Sequence, residues 1–273
     1  MNKSGIIYSY GNDKRQKYLG NMLSEYGFTV IDVPGASAGE NASKNNPPLE
    51  QCGDIYSSRT SNEILLLPVA VSEETLAGII PFIHHGTYII GGMLPAYLID
   101  ICSSENAAFL DYMKIPGIAI KNAVATAEGA ICEAIKASSI NIQSSRCLVI
   151  GYGRCGTVIA DKLSCLKADV SVLTIKPADI ARAYASGYNK ASGDFSAYDF
   201  IFNTAPAMVI TPGRINTMKG SCIIIDIASK PGGTDFSYCK SRGITAKHCL
   251  GLPAAYSPET SARIIFDEII KYI

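Results

Sequence analysis

The chain has 273 residues, 48% apolar and 18% charged, a globular composition with enough length for one large core or two modest ones. Lys plus Arg and Asp plus Glu both number 24, so no charge surplus draws the chain to nucleic acid or to an anionic membrane. Nine cysteines without a C-x-x-C pair argue against a metal site such as zinc, and the odd count favours free thiols in a reducing, cytoplasmic compartment.

The opening MNKSGIIYSYGNDKRQ lacks the apolar stretch of a secretion signal. The first 120 residues alternate between strand and helix patterns. A β-like run covers 5–10. A helical pattern over 13–27 ends at a glycine suited to a C-cap, and a second strand covers 28–33. Residues 34–54, rich in Pro, Gly and Asn, read as a surface loop. The fully apolar run 62–70 suits a parallel strand covered on both faces. SEETLAGII opens a helix with Ser72 as N-cap, a strand follows at 87–92, and 94–114 reads as a helix interrupted near Ser103. The apolar stretch 76–101 contains His84, His85, Pro81 and Pro95, so it reads as buried α/β elements rather than a membrane span.

A strong helix over 125–139 then bridges to a second alternating region. Strands are expected at 147–150, 169–175, 198–205, 222–229 and 244–250, with a short run at 189–192. Helices are expected at 154–166, 177–186 and 234–241, and a last one begins near Ser257 and Pro258. The expected fold class is α/β: two tandem α/β domains, 1–120 and 121–273, the second a doubly wound Rossmann nucleotide-binding domain. The C-terminal helix, 258–273, is expected to pack back on the first domain.

LVIGYGRCGTVIADKL (148–163) carries Gly151, Gly153 and Gly156 in G-x-G-x-x-G spacing, with a strand before it and a helix opening within it. In a dinucleotide site the first glycine makes the turn, the second admits the pyrophosphate, and the third allows close helix–strand packing. The helix N-terminus supplies amides and partial positive charge. Tyr152, Arg154 and Cys155 fall within the same turn. Glycines serving packing alone are the alternative.

An NAD site commonly has an acid about 20 residues on, for the ribose 2′-hydroxyl. Here that count reaches Lys176, and no acid follows before Asp179. Thr174, Lys176 and Arg154 suit a 2′-phosphate, which favours NADP over NAD. Other loops at strand carboxyl ends are further candidates. Asn203, Thr204, Ala205 and Pro206 suit the nicotinamide ribose, and Ala228 and Gly251 also suit the cofactor. Ser72, Lys121, Ser229, Lys230 and Pro253 suit a substrate. Pro231 and the glycines after it are read as leaving the Lys230 loop free to approach a ligand. Glu128 is either a first-turn helix acid or a substrate-orienting group, and His84 and His85 are either a surface turn or substrate contacts. Ordinary turn and cap chemistry is the alternative for each loop.

Four segments, TAEGAI, VIGYGRCGTVIADKL, IDIASKPGGTDF and GLPAAYSPETSARI, resemble in this order the A-subunit family of dipicolinate synthases from spore-forming bacteria. The resemblance implies formation of pyridine-2,6-dicarboxylate during sporulation, in the mother-cell cytoplasm. The implied substrate is a small dicarboxylate, a dihydro- or hydroxytetrahydrodipicolinate from the lysine pathway, and NADP is the implied hydride acceptor. It also implies a partner, the smaller, flavoprotein-like B-subunit of dipicolinate synthase. The family places an arginine where this strand ends in Ile175, and Lys176 beside it supplies the charge here. Lys230, Glu128 and His84 are the candidate catalytic residues. The gain of aromaticity drives oxidation, so the protein mainly positions its reactants. Two rivals stay open: a non-catalytic nucleotide-binding component of a complex, and another NAD(P) oxidoreductase of shikimate or methylene-tetrahydrofolate dehydrogenase type. Homo-oligomer formation is compatible with all three.

Overall fold

A computed structural model describes residues 5–11, 13–33, 63–69 and 71–273. The chain divides into two compact units, Met1–Ala119 with Pro258–Ile273, and Ile120–Ser257. The expected loop at 34–54, with Cys52, lies outside the described residues.

The first unit holds strands β1 (Ile6–Tyr10), β2 (Thr29–Val33), β3 (Glu63–Val69), β4 (Tyr88–Gly92) and β5 (Ala108–Asp111). They form one parallel sheet in the order β2-β1-β3-β4-β5, an open doubly wound arrangement. Helices α1 (Lys14–Glu25), α2 (Glu73–Ile79) and α3 (Ala96–Ser104) come from this half of the sequence. Asp13 caps α1 by accepting from the Gln16 amide, and Ser72 caps α2 by accepting from Thr75. β3 shows the alternation of a strand buried on both faces. Leu66 joins a core with Ile7, Leu19 and Leu23, while Leu65 and Leu67 join another with Ile89 and Leu98.

In the second unit, β6 (Arg146–Ile150), β7 (Asp169–Leu173), β8 (Asn189–Lys190), β9 (Phe200–Asn203), β10 (Ile223–Asp226) and β11 (Thr245–His248) form a six-stranded parallel sheet. The order is β11-β10-β9-β6-β7-β8, so winding reverses between β6 and β9, the switch point of a doubly wound nucleotide-binding sheet. Val149, Phe200 and Phe202 pack on one face, and Leu148, Ile201 and Ile224 on the other. The helices are α4 (Pro116–Ala137), within which the unit boundary falls, α5 (Arg154–Cys165), α6 (Pro177–Ala185), α7 (Pro212–Ile215), α8 (Phe236–Ser241) and α9 (Leu252–Tyr256).

Several expectations need correction. Helix α3 ends at Ser104, beside the break expected near Ser103, and a strand rather than resumed helix follows it. Asn106 takes a left-handed φ of 53° after α3, and Phe109 and Leu110 then pair with Ile89 and Ile90 as β5. The bridging helix starts nine residues earlier than 125, at Pro116, whose fixed φ suits a first helical position. Glu128 is therefore not a first-turn acid. The second unit ends at Ser257 rather than at 273, because the last helix, α10 (Pro258–Ile269), is part of the first unit. Its buried face, Ala262, Ile265, Phe266 and Ile269, completes the core shared with Leu19 and Leu23 of α1.

All eight described cysteines are free thiols. Burial raises Cys147 to about 11 and Cys222 to about 12, so both stay protonated and pack as small apolar groups. Among the described residues no helix is long and apolar enough to cross a membrane, and no group of three or more His, Cys, Asp or Glu is arranged to hold a metal.

Candidate functional site

Strand β6 ends at Ile150, and the chain turns at once. Gly151 takes a left-handed φ of 87°, and its amide donates to Leu173 of the neighbouring strand at 2.8 Å. A Cβ there would stand 2.4 Å from Thr204 Oγ1. Gly156 is closed by backbone, because a Cβ would come within 2.0 Å of the Gly151 carbonyl oxygen. Gly153 differs from both. It is the N-cap of α5 with φ −85° and ψ −159°, and a Cβ on it would meet no described atom within 4 Å. Neither strain nor packing inside the fold requires a glycine at 153, and the space over it is open. A glycine N-cap also brings no side chain to the first-turn amides of α5.

A cleft of 620 Å³ opens at this switch point, within the usual size of a small-molecule site. It is lined by Gly151, Tyr152, Gly153, Arg154 and Cys155 from the turn, by Thr174 and Lys176 from the end of β7, and by Thr204, Ala205 and Pro206 after β9. The Tyr152 ring is not available to a ligand. It is buried in the core, and its hydroxyl donates to Ser186 at 3.3 Å. Its carbonyl accepts from Arg182 at 3.2 Å. Burial raises the Cys155 thiol, partly offset by Arg154, which leaves it a weak nucleophile.

Two charged lining residues, Arg214 and Asp179, were not among the expected cofactor contacts. Arg214, on the short helix α7, reaches the cleft while donating to the Val209 carbonyl at 2.9 Å and lying over the Phe195 ring. Asp179 also lines the cleft, but its carboxylate is tied to Arg182 at 2.6 Å. The lining thus carries three cations, Arg154, Lys176 and Arg214, against one ion-paired acid.

Other expected residues stand elsewhere. Asn203 is fully buried and does not line the cleft. Its amide nitrogen donates to Ala205 and Asp226, and its oxygen accepts from the Ala205 amide. Ala228 is buried, with its amide on Asp226. Gly251, at φ 68°, is the exposed N-cap of α9, and Pro253 follows within that helix. Ser229 and Lys230 are exposed beyond the carboxyl end of β10. Their loop is not free. Gly232 donates to the Ser229 carbonyl at 2.8 Å, and the Gly233 carbonyl accepts from Val209 and Ile210. A Cβ on Gly233 would stand 2.4 Å from the Asn203 side chain, so that glycine is there for close packing.

Glu128 on α4 is ion-paired with Lys162 of α5 at 2.9 Å, a contact between helices rather than a reacting group. Lys121 is exposed on the same helix. In the first unit, Ser72 spends its hydroxyl on the α2 cap. His84 precedes β4 and bonds the His85 carbonyl at 2.9 Å. That is the amino-terminal edge of the sheet, whereas ligands of such sheets sit beyond the carboxyl ends.

No family model matches the chain. It is 32% identical over 190 residues to the dipicolinate synthase A-subunit of Bacillus subtilis, a match covering 68% of this chain and 64% of that protein, just under two thirds of its length. The crystal structure of the dipicolinate synthase A-subunit from Bacillus halodurans is 25% identical, with a TM-score of 0.77 over 100% of this chain and 98% of that one. D-Lactate dehydrogenase from Escherichia coli shares the fold at 14% identity, with a TM-score of 0.70 over 98% of this chain and 95% of that one. Sequence and fold therefore agree with the motifs, and the chain is a homologue of the dipicolinate synthase A-subunits.

Proposed function

We propose that the second unit binds NADP and that the chain oxidises a dihydrodipicolinate-type dicarboxylate to pyridine-2,6-dicarboxylate in sporulating cells. The observation that carries the reading is Gly153, a glycine required neither by its φ nor by any described neighbour, at the N-terminus of the helix that opens the switch-point cleft. Gly151 and Gly156 close the turn beneath it, and the first-turn amides of α5 would meet the pyrophosphate. Arg154, Lys176 and Thr174 would hold a 2′-phosphate, with Arg214 adding positive charge to the same cleft. Asp179, paired with Arg182, does not replace the ribose-binding acid of an NAD site.

NADP supplies a hydride acceptor when bound. With NADP bound, oxidation of the substrate would release one hydride from a ring carbon to the cofactor and one proton to solvent, leaving the aromatic dicarboxylate. Lys230 and Ser229, exposed beyond β10, bind and orient a carboxylate of the substrate. Gain of aromaticity favours the step, so no strong base is needed beside them. A smaller flavoprotein-like partner completes the assembly in this reading.

The test mixes purified chain, with and without that partner, with freshly prepared dihydrodipicolinate and NADP. NADPH absorbance and pyridine product are followed together. Both should appear, and Lys230→Ala should raise the substrate KM by about tenfold, the cost of one charged contact. Tight NADP binding without turnover in either mixture would leave only a nucleotide-binding module. A chain that fails to bind NADP would overturn the proposal.

A further inference from the structure

Asp226, the last residue of β10, is fully buried, and its carboxylate accepts four hydrogen bonds. Oδ1 takes the Asn203 amide nitrogen at 3.0 Å and the Ala228 backbone amide at 3.0 Å. Oδ2 takes the Gly233 backbone amide at 2.8 Å and the Thr234 hydroxyl at 2.7 Å. These donors come from two segments. One, 203–210, includes the wall of the cleft formed by residues 204–209. The other, 228–234, carries Ser229 and Lys230. The same segments are joined again where the Gly233 carbonyl accepts from Val209 and Ile210, and where Asp235 donates to the Ile210 carbonyl.

We infer that Asp226 is a positioning residue that ties the cofactor-facing wall and the Ser229–Lys230 loop into one rigid piece. It touches neither ligand, and it fixes the distance between the groups that do. A buried carboxylate holding four donors keeps both segments in one arrangement, because releasing either strands a charge away from water. The inference rests on the proposed dinucleotide cleft for its functional consequence.

Asp226→Asn tests it sharply, since each oxygen takes two donors and the amide NH2 would face two of them whichever way it sits. Thr234→Val removes one donor and keeps the shape, and Thr234→Ser restores it. Asp199→Asn is the control. Asp199 accepts from the Arg146 amide at 2.8 Å and from Lys219 at 2.6 Å, and it precedes β9 at the opposite edge of the same sheet. NADPH binding to the full chain is measured by fluorescence titration, with melting temperature and amide hydrogen exchange on the same samples.

Asp226→Asn should weaken NADPH roughly tenfold and Thr234→Val roughly threefold, while Thr234→Ser and Asp199→Asn stay within about twofold of the parent even where Tm falls. The Ala205, Val209, Ile210 and Gly233 amides should exchange faster together in the first two variants only. If Asp226→Asn does not fold, the Thr234 pair decides. Affinity that merely follows Tm across all variants, or exchange at those amides that Thr234→Val leaves unchanged, overturns the inference. A parent chain that binds no NADPH while the four amides still loosen together refutes the cleft reading and leaves the tie standing.

Discussion

A methyl group at residue 156 would stand 2.0 Å from the Gly151 carbonyl oxygen and 2.9 Å from its carbon, backbone atoms that cannot swing aside as a side chain can. Gly156→Ala should therefore cost about 1–3 kcal/mol in stability, read by denaturant titration, and should weaken dinucleotide binding as the turn shifts. Gly153→Ala meets no described atom and needs no unusual φ. Its stability should stay within about 1 kcal/mol of the parent, while NADPH affinity falls by about tenfold or more, because the methyl takes the room of the phosphate. Unchanged affinity in a folded Gly153→Ala chain would show that the space over this glycine holds no ligand. The motif spacing marks all three positions in the sequence. It does not separate the two glycines closed by packing from the one left open, because that depends on where Thr204 and the Gly151 carbonyl come to lie.

At the scale of elements, α4, β11 and α9 are pinned together by one acid. Glu133 accepts from the Tyr256 hydroxyl and from Lys247 Nζ at 2.9 Å, while Lys136 donates to Tyr256 at 2.8 Å. The Tyr256 bond first, then Lys247, holds the Glu133 carboxyl below its usual 4.5, at about 2. The folded state thus takes up this proton less readily than the unfolded chain. The stabilisation is full above pH 4.5 and is lost as pH falls towards 2. Glu133→Gln should melt below the parent at neutral pH, and the gap in Tm should close on acidification through that window. A gap independent of pH would remove the role. None of this was legible from spacing, since residues 133, 247 and 256 meet only through the fold. The same holds for β5. Four residues of AFLD become a strand because β4 offers an unpaired edge, whereas local pattern alone reads them as helix resuming after a break near Ser103.

For the whole molecule, the chain leaves its first unit at residue 119 and returns to it at 258. Deleting 258–273 would strip Ile265, Phe266 and Ile269 from the core beneath α1. At about 2–5 kcal/mol for each large buried side chain, the loss is comparable to the whole stability of a domain. Calorimetry should show the first unit losing its cooperative transition, and NADPH titration should show the second unit still binding. Retention of both transitions would show that α10 is dispensable. By itself, the sequence determined the two alternating α/β regions, the glycine turn between strand and helix, and the lack of an acid 20 residues beyond it. Those features are local, set by periodicity and by what glycine alone permits. Tertiary structure decided the strand order that makes β6 and β9 a switch point, the burial of Asn203 and Tyr152, and the arrival of Arg214 in the cleft. It also decided that Lys230 stands on a pinned loop rather than a free one. Each of these depends on hydrogen bonds and packing between segments far apart in the chain, which no local pattern encodes.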